Sequence, residues 1–405
     1  MIAALAWRNI WRQPIRTSLS VIGMAFTSML LVFMLSLQLA AYDTMKSSML
    51  RIADGFGQFQ IEGYKDDPEM DKVIADPAAL LADLERVPGV TVATARAAGF
   101  GLLASGERSF AVAILGIDPA REPDVSTLSG LVEQGRSLTP EDNDAIVLGD
   151  GLARNLRLGL GDRVALLGSG RDGSVAVDVL EVVGIFKSKV PELDRAFAQM
   201  PLVRFAETFL MEGGVHAVAV AGEDLPDVVR AERELREVAA RHGVVYLNWA
   251  ELRPDVEEAI AADMITAVLI YVTLVVVVVF ITLNTLYMSV LERTREFGVL
   301  LAIGMKRRWI GRMVWMEMIF LSLFGNGLGI LLGMVLTYWV QQVGIGIEGL
   351  SEIYESWGMP ARFYPAMTPF RVLFGPFAIV LSIAVLGIVP YRRVLGLDPV
   401  KAMAS

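Results

Sequence analysis

The sequence predicts an α-helical membrane protein with four transmembrane helices and an extracytoplasmic α/β plus β domain inserted between helices 1 and 2. Three observations carry this reading. Four runs almost free of charged residues are each long enough to cross roughly 30 Å of hydrocarbon as a helix. Lysines and arginines gather at the ends of those runs in a pattern that assigns every connection to one side. The long segment between the first two runs has the mixed texture of a folded domain. Hydrophobic residues make up 54% of the chain and charged residues 20%. That balance is too apolar for a soluble protein and too charged for one wholly embedded in lipid.

Residues 1–16 read as a cytoplasmic or interfacial amphipathic helix, because Trp7, Ile10 and Trp11 share one face while Arg8 and Arg12 can reach headgroups. Residues 17–42 form the first span, uncharged between Arg16 and Asp43. Its length exceeds the roughly 7–15 apolar residues of a cleaved signal peptide. The second span is 259–290. It includes the β-branched run Val275 to Val279, which becomes helical because a backbone in lipid must satisfy its own hydrogen bonds. The third span is 313–341 and the fourth 371–391, joined by the short connection 342–370.

Arg8, Arg12 and Arg16 precede the first span, Arg293, Arg295, Lys306, Arg307, Arg308 and Arg312 lie in 291–312, and Arg392, Arg393 and Lys401 lie in the tail 392–405. Basic residues are retained in the cytoplasm, so these segments are cytoplasmic. The connection 342–370, with Glu348, Glu352 and Glu355 against Arg362, suits the outside.

Residues 43–258 are then extracytoplasmic. FQIEG at 59–63 alternates like a strand, PAALLADLERVPG reads as a helix, and TVATARAAGFGLLA with SFAVAILGID read as two strands. VHAVAV, DLPDVVRAERELREVAARHG and VVYLNW repeat strand, helix, strand. The segment therefore divides into an α/β subdomain from 43–126 and 214–258 and an inserted β-rich subdomain, 127–213, which opens on a short helix in GDGLARNLRLGLGD.

Several functions are excluded or disfavoured. There is no cysteine, so no disulfide framework or thiol site. His216 and His242 lack a nearby acidic cluster at ligand spacing, so no metal site is expected and both read as surface or satisfied core residues. No GxxxxGK[ST] phosphate loop occurs, and GSGRDGS at 168–174, which lacks the lysine, reads as a turn between strands. HExxH and GxSxG are also absent. The chain is not expected to be an enzyme, and a net charge of −9 does not favour nucleic acid.

The stretch from Asn284 to Gly333 is the most specific. Glu292, Arg293, Arg295, Glu296, Gly298, Ala302 and Gly304 follow an ER-x-RE-x-G pattern with an alanine and glycine ending, and a helix with Glu317 and spaced glycines comes next. This resembles the permease region of the MacB, lipoprotein-release (LolC/LolE-like) and FtsX-like superfamily of ABC transporter permeases. Leu301 departs from the pattern where many relatives carry arginine. The resemblance implies that Glu292 to Gly304 form the segment that receives the stroke of a partner ATPase. Physically, a short surface helix with Phe297, Leu300 and Leu301 on its apolar side can seat in a groove of a soluble subunit while its charges set register.

Gly325, Gly329 and Gly333 recur every four residues and leave one helix face bare for close packing, either within one subunit or between two. Glu317, near the cytoplasmic end of that span, can reach a headgroup or a neighbouring arginine. Met34, Leu37, Met45 and Met49 form a candidate adaptable apolar site for acyl chains.

By the resemblance, two permease subunits, as a homodimer or heterodimer, work with ABC ATPase subunits. ATP and Mg are expected in that partner and no cofactor in this chain. The expected place is the bacterial inner membrane, with a large periplasmic domain, and the further expected partners are membrane lipids and a periplasmic chaperone or adaptor. The leading expected function is release of lipoproteins or other lipidated substrates. The alternatives are MacB-like efflux with a periplasmic adaptor and FtsX-like regulation of a cell-wall hydrolase.

Overall fold

Two helices open the chain in the computed structural model, which describes residues 2–12, 14–188, 190–346, 349 and 362–396. Glu348, Glu352, Glu355 and Lys401, used above to assign sides, lie outside the described residues. Helix α1 is Ile2–Ile10 and α2 is Pro14–Ala53. Proline suits the first position of α2 because its missing N–H would have no partner there. The chain forms two units: one holds the residues up to Tyr42, Ile260–Ile345 and those from Arg362, and the other holds Asp43–Ala259.

In the second unit, β1 (Gly57–Gln60) is followed by α3 (Pro77–Leu84), β2 (Val92–Ser105), β3 (Arg108–Ile117) and α4 (Glu122–Val125). Next come β4 (Val132–Gly135), β5 (Ala145–Gly149), α5 (Asp150–Leu156), β6 (Arg163–Ser169), β7 (Val175–Phe186), α6 (Pro191–Ala196), β8 (Phe197–Pro201) and α7 (Leu202–Thr208). The unit ends with β9 (Ala217–Ala221), α8 (Leu225–Arg230), α9 (Glu232–His242), β10 (Val245–Leu247) and α10 (Trp249–Leu252). The sequence DLPDVVRAERELREVAARHG thus makes two helices meeting at Ala231, not one.

Strands β10, β1, β9 and β2 form an antiparallel sheet. Leu80 and Leu84 of α3 and Leu235 and Val238 of α9 pack with Phe59, Val218, Val220 and Tyr246 in its core. The second half of β2 leaves this sheet and pairs with β6 while β3 pairs with β8. The remaining pairs β8 with β5, β5 with β7 and β7 with β6 close a six-stranded ring. Leu103, Ile114, Ile146, Leu148, Leu166 and Leu180 belong to the core cluster of this barrel. Closure leaves its six strands without an open edge. The division expected at 127 and 213 is therefore corrected: β2 and β3, which precede residue 127, supply two barrel strands, and β2 belongs to both sheets. Hydrophobic alternation reports which face a residue takes, but not which strand lies beside it.

His216, just before β9, is a satisfied core residue. Its Nδ1 accepts the Ala98 N–H at 3.0 Å, and its ring stacks on Tyr64 with centroids 5.0 Å apart. Burial lowers its pKa to about 4 from 6.5. The unfolded chain therefore takes up a proton first, and stability is unaffected above pH 6.5, falls as pH drops toward 4, and is level below. The loss is about 3 kcal/mol at most. Thermal unfolding of the purified chain should show this decline, and His216→Asn should flatten it; an unchanged slope in the variant would assign the decline to other groups.

The first unit is completed by α11 (Pro254–Glu292), α12 (Thr294–Ala302), α13 (Arg307–Val343), α14 (Pro369–Leu386) and α15 (Ile388–Leu395). Four helices long and apolar enough to cross a membrane match the four runs: α2, α11, α13, and α14 with α15. Val21, Met24 and Leu31 of α2 meet Val278, Val279, Met318, Leu321, Ile379 and Ile383 in the shared core. Ile265, Leu269, Val272, Val276 and Phe280 of α11 remain exposed, as a lipid-facing surface would be.

The glycine face of α13 packs on α2 of the same chain. A Cβ on Gly325 would lie 2.9 Å from Met24 Cβ, one on Gly329 would lie 2.5 Å from Ala25 O and Ser28 Cβ, and one on Gly333 would lie 2.8 Å from Val32 Cβ. Gly327 points away, with nothing within 4 Å of a Cβ there. Ser28 also bonds the Asn326 side-chain oxygen inside the seam, and Asn326 donates to Ser322 O at 2.8 Å.

Candidate functional site

The candidate site is the end of the helix bundle where α1, the start of α2, the end of α11, α12 and the start of α13 come together. Helix α12 has Glu296 in its first turn, where the helix dipole favours an acid. The turn after it needs Gly304, whose φ of +100° is open to glycine but strained for other residues.

Phe297 and Gly298 are fully buried, and Leu300 and Leu301 are partly so, in a cluster with Ala6, Val290, Ile310, Met313, Val314 and Val394. This corrects the expectation that Phe297, Leu300 and Leu301 face a partner. They fill the chain's own core, because a short apolar stripe buries against the nearest hydrophobic surface. The outward face is instead Arg295, Val299, Ala302, Ile303 and Gly304, and Ile303 is 78% exposed. Positions 295, 299, 302 and 303 follow helical spacing, which keeps them together.

Behind this face lies a network of charges. Arg16 donates to both oxygens of Glu292 at 2.6 and 2.8 Å, and Arg12 reaches Glu296 at 3.4 Å. Arg293 lies across Phe297, 5.2 Å from its ring centre, and pairs with Glu317 at 3.0 Å and Glu296 at 3.5 Å. Asn9 donates to Glu317 at 2.6 Å. Glu317 is thus held by a neighbouring arginine and by α1. The network borders a cavity of about 290 Å³ that Thr17, Ser20 and Ser289 also line. The tryptophan face of α1 turns to α13, with Trp7 edge-on to Phe320 at 6.2 Å and Trp11 to Phe324 at 6.0 Å.

The motif residues therefore divide. Glu292, Arg293, Glu296 and Gly298 are engaged within the chain, whereas Arg295, Ala302 and Gly304 face outward. Sequence reasoning read Arg12 as reaching headgroups and Arg16 only as a marker of the cytoplasmic side, and missed both as partners of the motif. A signal was available, since Arg16 and Glu292 close same-side ends of consecutive spans and carry opposite charge.

The four candidate acyl-site residues are not all in one unit. Met34, exposed, and Leu37, half-buried, belong to the helix bundle, and Met45 and Met49 belong to the other unit. Met49 lines a cavity of about 440 Å³ with Ile52, Val190 and Leu193, but Asp54, Glu192 and Arg253 line it as well. Among the described residues no group of histidine and carboxylate side chains could hold a metal ion.

Comparison with known proteins places this geometry in context. The MacB-like periplasmic core domain family matches residues 17–238, and the FtsX-like permease C-terminal family matches 268–399. The pyoverdine export ATP-binding/permease protein PvdT of Pseudomonas fluorescens is 24% identical over 99% of this chain, which spans only 58% of that relative's length. An uncharacterised ABC transporter permease of Methanocaldococcus jannaschii is 25% identical over 83% of each chain. The lipoprotein-releasing system transmembrane protein LolC of Neisseria meningitidis is 23% identical over 84% of this chain and 81% of its own.

Proposed function

Because this chain belongs to the ABC transporter permease superfamily of MacB, LolC and FtsX type, we propose that it is the permease subunit of a bacterial inner-membrane complex, driven by a separate ATPase that bears on the outward face of α12. The observation that carries this is the split of the motif helix: a buried side with Phe297 roots α12 in the bundle, while Val299 and Ile303 stand exposed beside Arg295. Two copies of the permease work with ATPase subunits, which bind ATP and Mg. Glu292, Arg293 and Glu296 pass the stroke to α2 and α13 through Arg16 and Glu317, and the periplasmic domain responds. A coupling of this kind needs ATP to favour one arrangement over another by differential binding energy.

The substrate class we favour is lipoprotein or another lipidated molecule, supported by the similarity to LolC along more than four fifths of both chains. A second reading, MacB-like efflux with a periplasmic adaptor, is supported by the match of the MacB-like core domain to more than half of this chain. Proteins copurifying from native membranes separate the two: a carrier chaperone favours the first, an adaptor the second.

The coupling assignment has its own test. Ile303→Asp should insert normally yet weaken ATPase copurification more than tenfold, since burying such a side chain is worth about 1.5–3 kcal/mol. Glu292→Arg should retain the ATPase but separate hydrolysis from transport, and adding Arg16→Glu should restore part of the coupling. Full copurification with Ile303→Asp would remove the outward face of α12 as the docking surface.

A further inference from the structure

The extracytoplasmic unit carries an apolar groove of about 560 Å³ that plays no part in the reading above. Pro77, Ala95, Val203, Ala206, Leu210 and Val215 line it. Its walls are almost wholly hydrocarbon, and the charged groups, Glu207 and Glu212, belong to the same lining.

The chain builds one edge of this groove at a conformational cost. After α7 the backbone reverses, with the Met211 N–H bonding Ala206 O at 2.9 Å and Leu210 at φ +55°. Glycine takes that position in most helix endings of this kind, because a Cβ is disfavoured there. Leucine is present instead, and the strain is not offset by full burial, since Leu210 is 47% exposed and Val203 across α7 is 68% exposed. Phe209, the preceding residue, turns inward and stacks on Phe205 at 4.3 Å. The exposed isobutyl group is therefore presented to the groove and is not a by-product of core packing.

Charge selects the occupant. Arg204 gives two bonds to Asp178, at 2.7 and 2.6 Å, and also faces Asp144 at 3.6 Å and Glu207 at 3.3 Å. Arg171 lies 3.7 Å from Glu212. The lining itself thus carries two carboxylates, Glu207 and Glu212, and no lysine or arginine, and the arginine beside Glu207 is shared with Asp178 and Asp144.

We propose that this groove binds a small amphiphile with an aliphatic body and a cationic head group. The body lies against Val203, Ala206 and Leu210, and the head stays at the water boundary near Glu207 and Glu212. An anionic head meets repulsion there. The site does not depend on the permease assignment, because every residue in it lies in one unit and its ligand needs no ATPase.

The full chain in lipid nanodiscs can be probed with a photoreactive alkyltrimethylammonium ion and with the alkyl carboxylate of the same chain length, mapping the labelled peptides by mass spectrometry. The ammonium probe should label α7 and residues 210–215 saturably, roughly fivefold more than the carboxylate. Ala206→Trp should fill the groove and abolish this labelling. Val203→Asn, at a position too exposed to disturb folding, should weaken it. Glu207→Gln with Glu212→Gln should keep labelling but lose the head-group preference. Labelling that never saturates, that is equal for the two probes in the unaltered chain, or that survives both groove variants would overturn the proposal.

Discussion

Arg96→Met should destabilise the extracytoplasmic domain by about 3–5 kcal/mol, the range for removing one partner of a buried ion pair. Arg96 and Glu122 are 3% and 0% exposed, and two bonds of 3.1 and 2.7 Å join them. The same guanidinium also donates to Ala53 O, the last carbonyl of α2, which lacks a helical partner, and to Asp54 O just beyond it. Removing Arg96 therefore leaves a buried carboxylate and loses a positive cap on a helix end at once. Glu122→Gln should be milder, because Arg96 keeps its two backbone acceptors. Arg96→Met with Glu122→Leu should recover most of the loss, since replacing a buried pair by apolar groups removes the desolvation penalty as well. Denaturant unfolding of the parent, Arg96→Met, Glu122→Leu and the double variant gives the cycle, with Glu122→Gln measured beside it. A single Arg96→Met variant as stable as the parent would mean that the pair is hydrated in solution and does not hold the end of α2.

That pair also marks the limit of what sequence reveals. Arg96 stands in TVATARAAGF, which reads correctly as a strand, but nothing local pairs it with a glutamate in a short helix beyond the following strand. The membrane helices were legible because lipid imposes one rule along a continuous stretch, which charge-free runs such as that before Glu292 obey. Helix α12 was legible as an amphipathic element but not in its facing, because Phe297 suits the interior of its own bundle as well as a partner's groove. The barrel was hidden for a related reason: β2 runs on as one strand while its pairing passes from β9, at residues 92–96, to β6, from Gly101, where a Cβ would lie 2.7 Å from Leu167 O. Arg12 and Arg16 were visible as charges, but their partners arrive nearly 300 residues later.

Gly329→Leu should break the seam between α2 and α13, whereas Gly327→Ala, two residues away, should be neutral or slightly stabilising. The difference lies in what each Cβ meets, since the helix interior is otherwise the same. At Gly327 a methyl group enters open space and gains the helical preference of alanine over glycine, about 0.8–1 kcal/mol. At Gly329 the first carbon already lies 2.5 Å from Ala25 O and Ser28 Cβ, and backbone carbonyls of a packed helix cannot rotate aside. Overpacking of this kind costs about 1–3 kcal/mol for a small addition, so even Gly329→Ala should lose more than its helical preference returns, and leucine should force the helices apart. Separation would also strip the Ser28 to Asn326 hydrogen bond from its buried site. Because the chain has no cysteine, Ser28→Cys with Asn326→Cys provides a readout without background. The disulfide should form within one polypeptide in the parent and with Gly327→Ala, fall with Gly329→Ala, and be lost with Gly329→Leu. A bond that forms between two copies instead would place the glycine face at a subunit seam, and undiminished intramolecular bonding in Gly329→Leu would show that α2 and α13 are not in close contact.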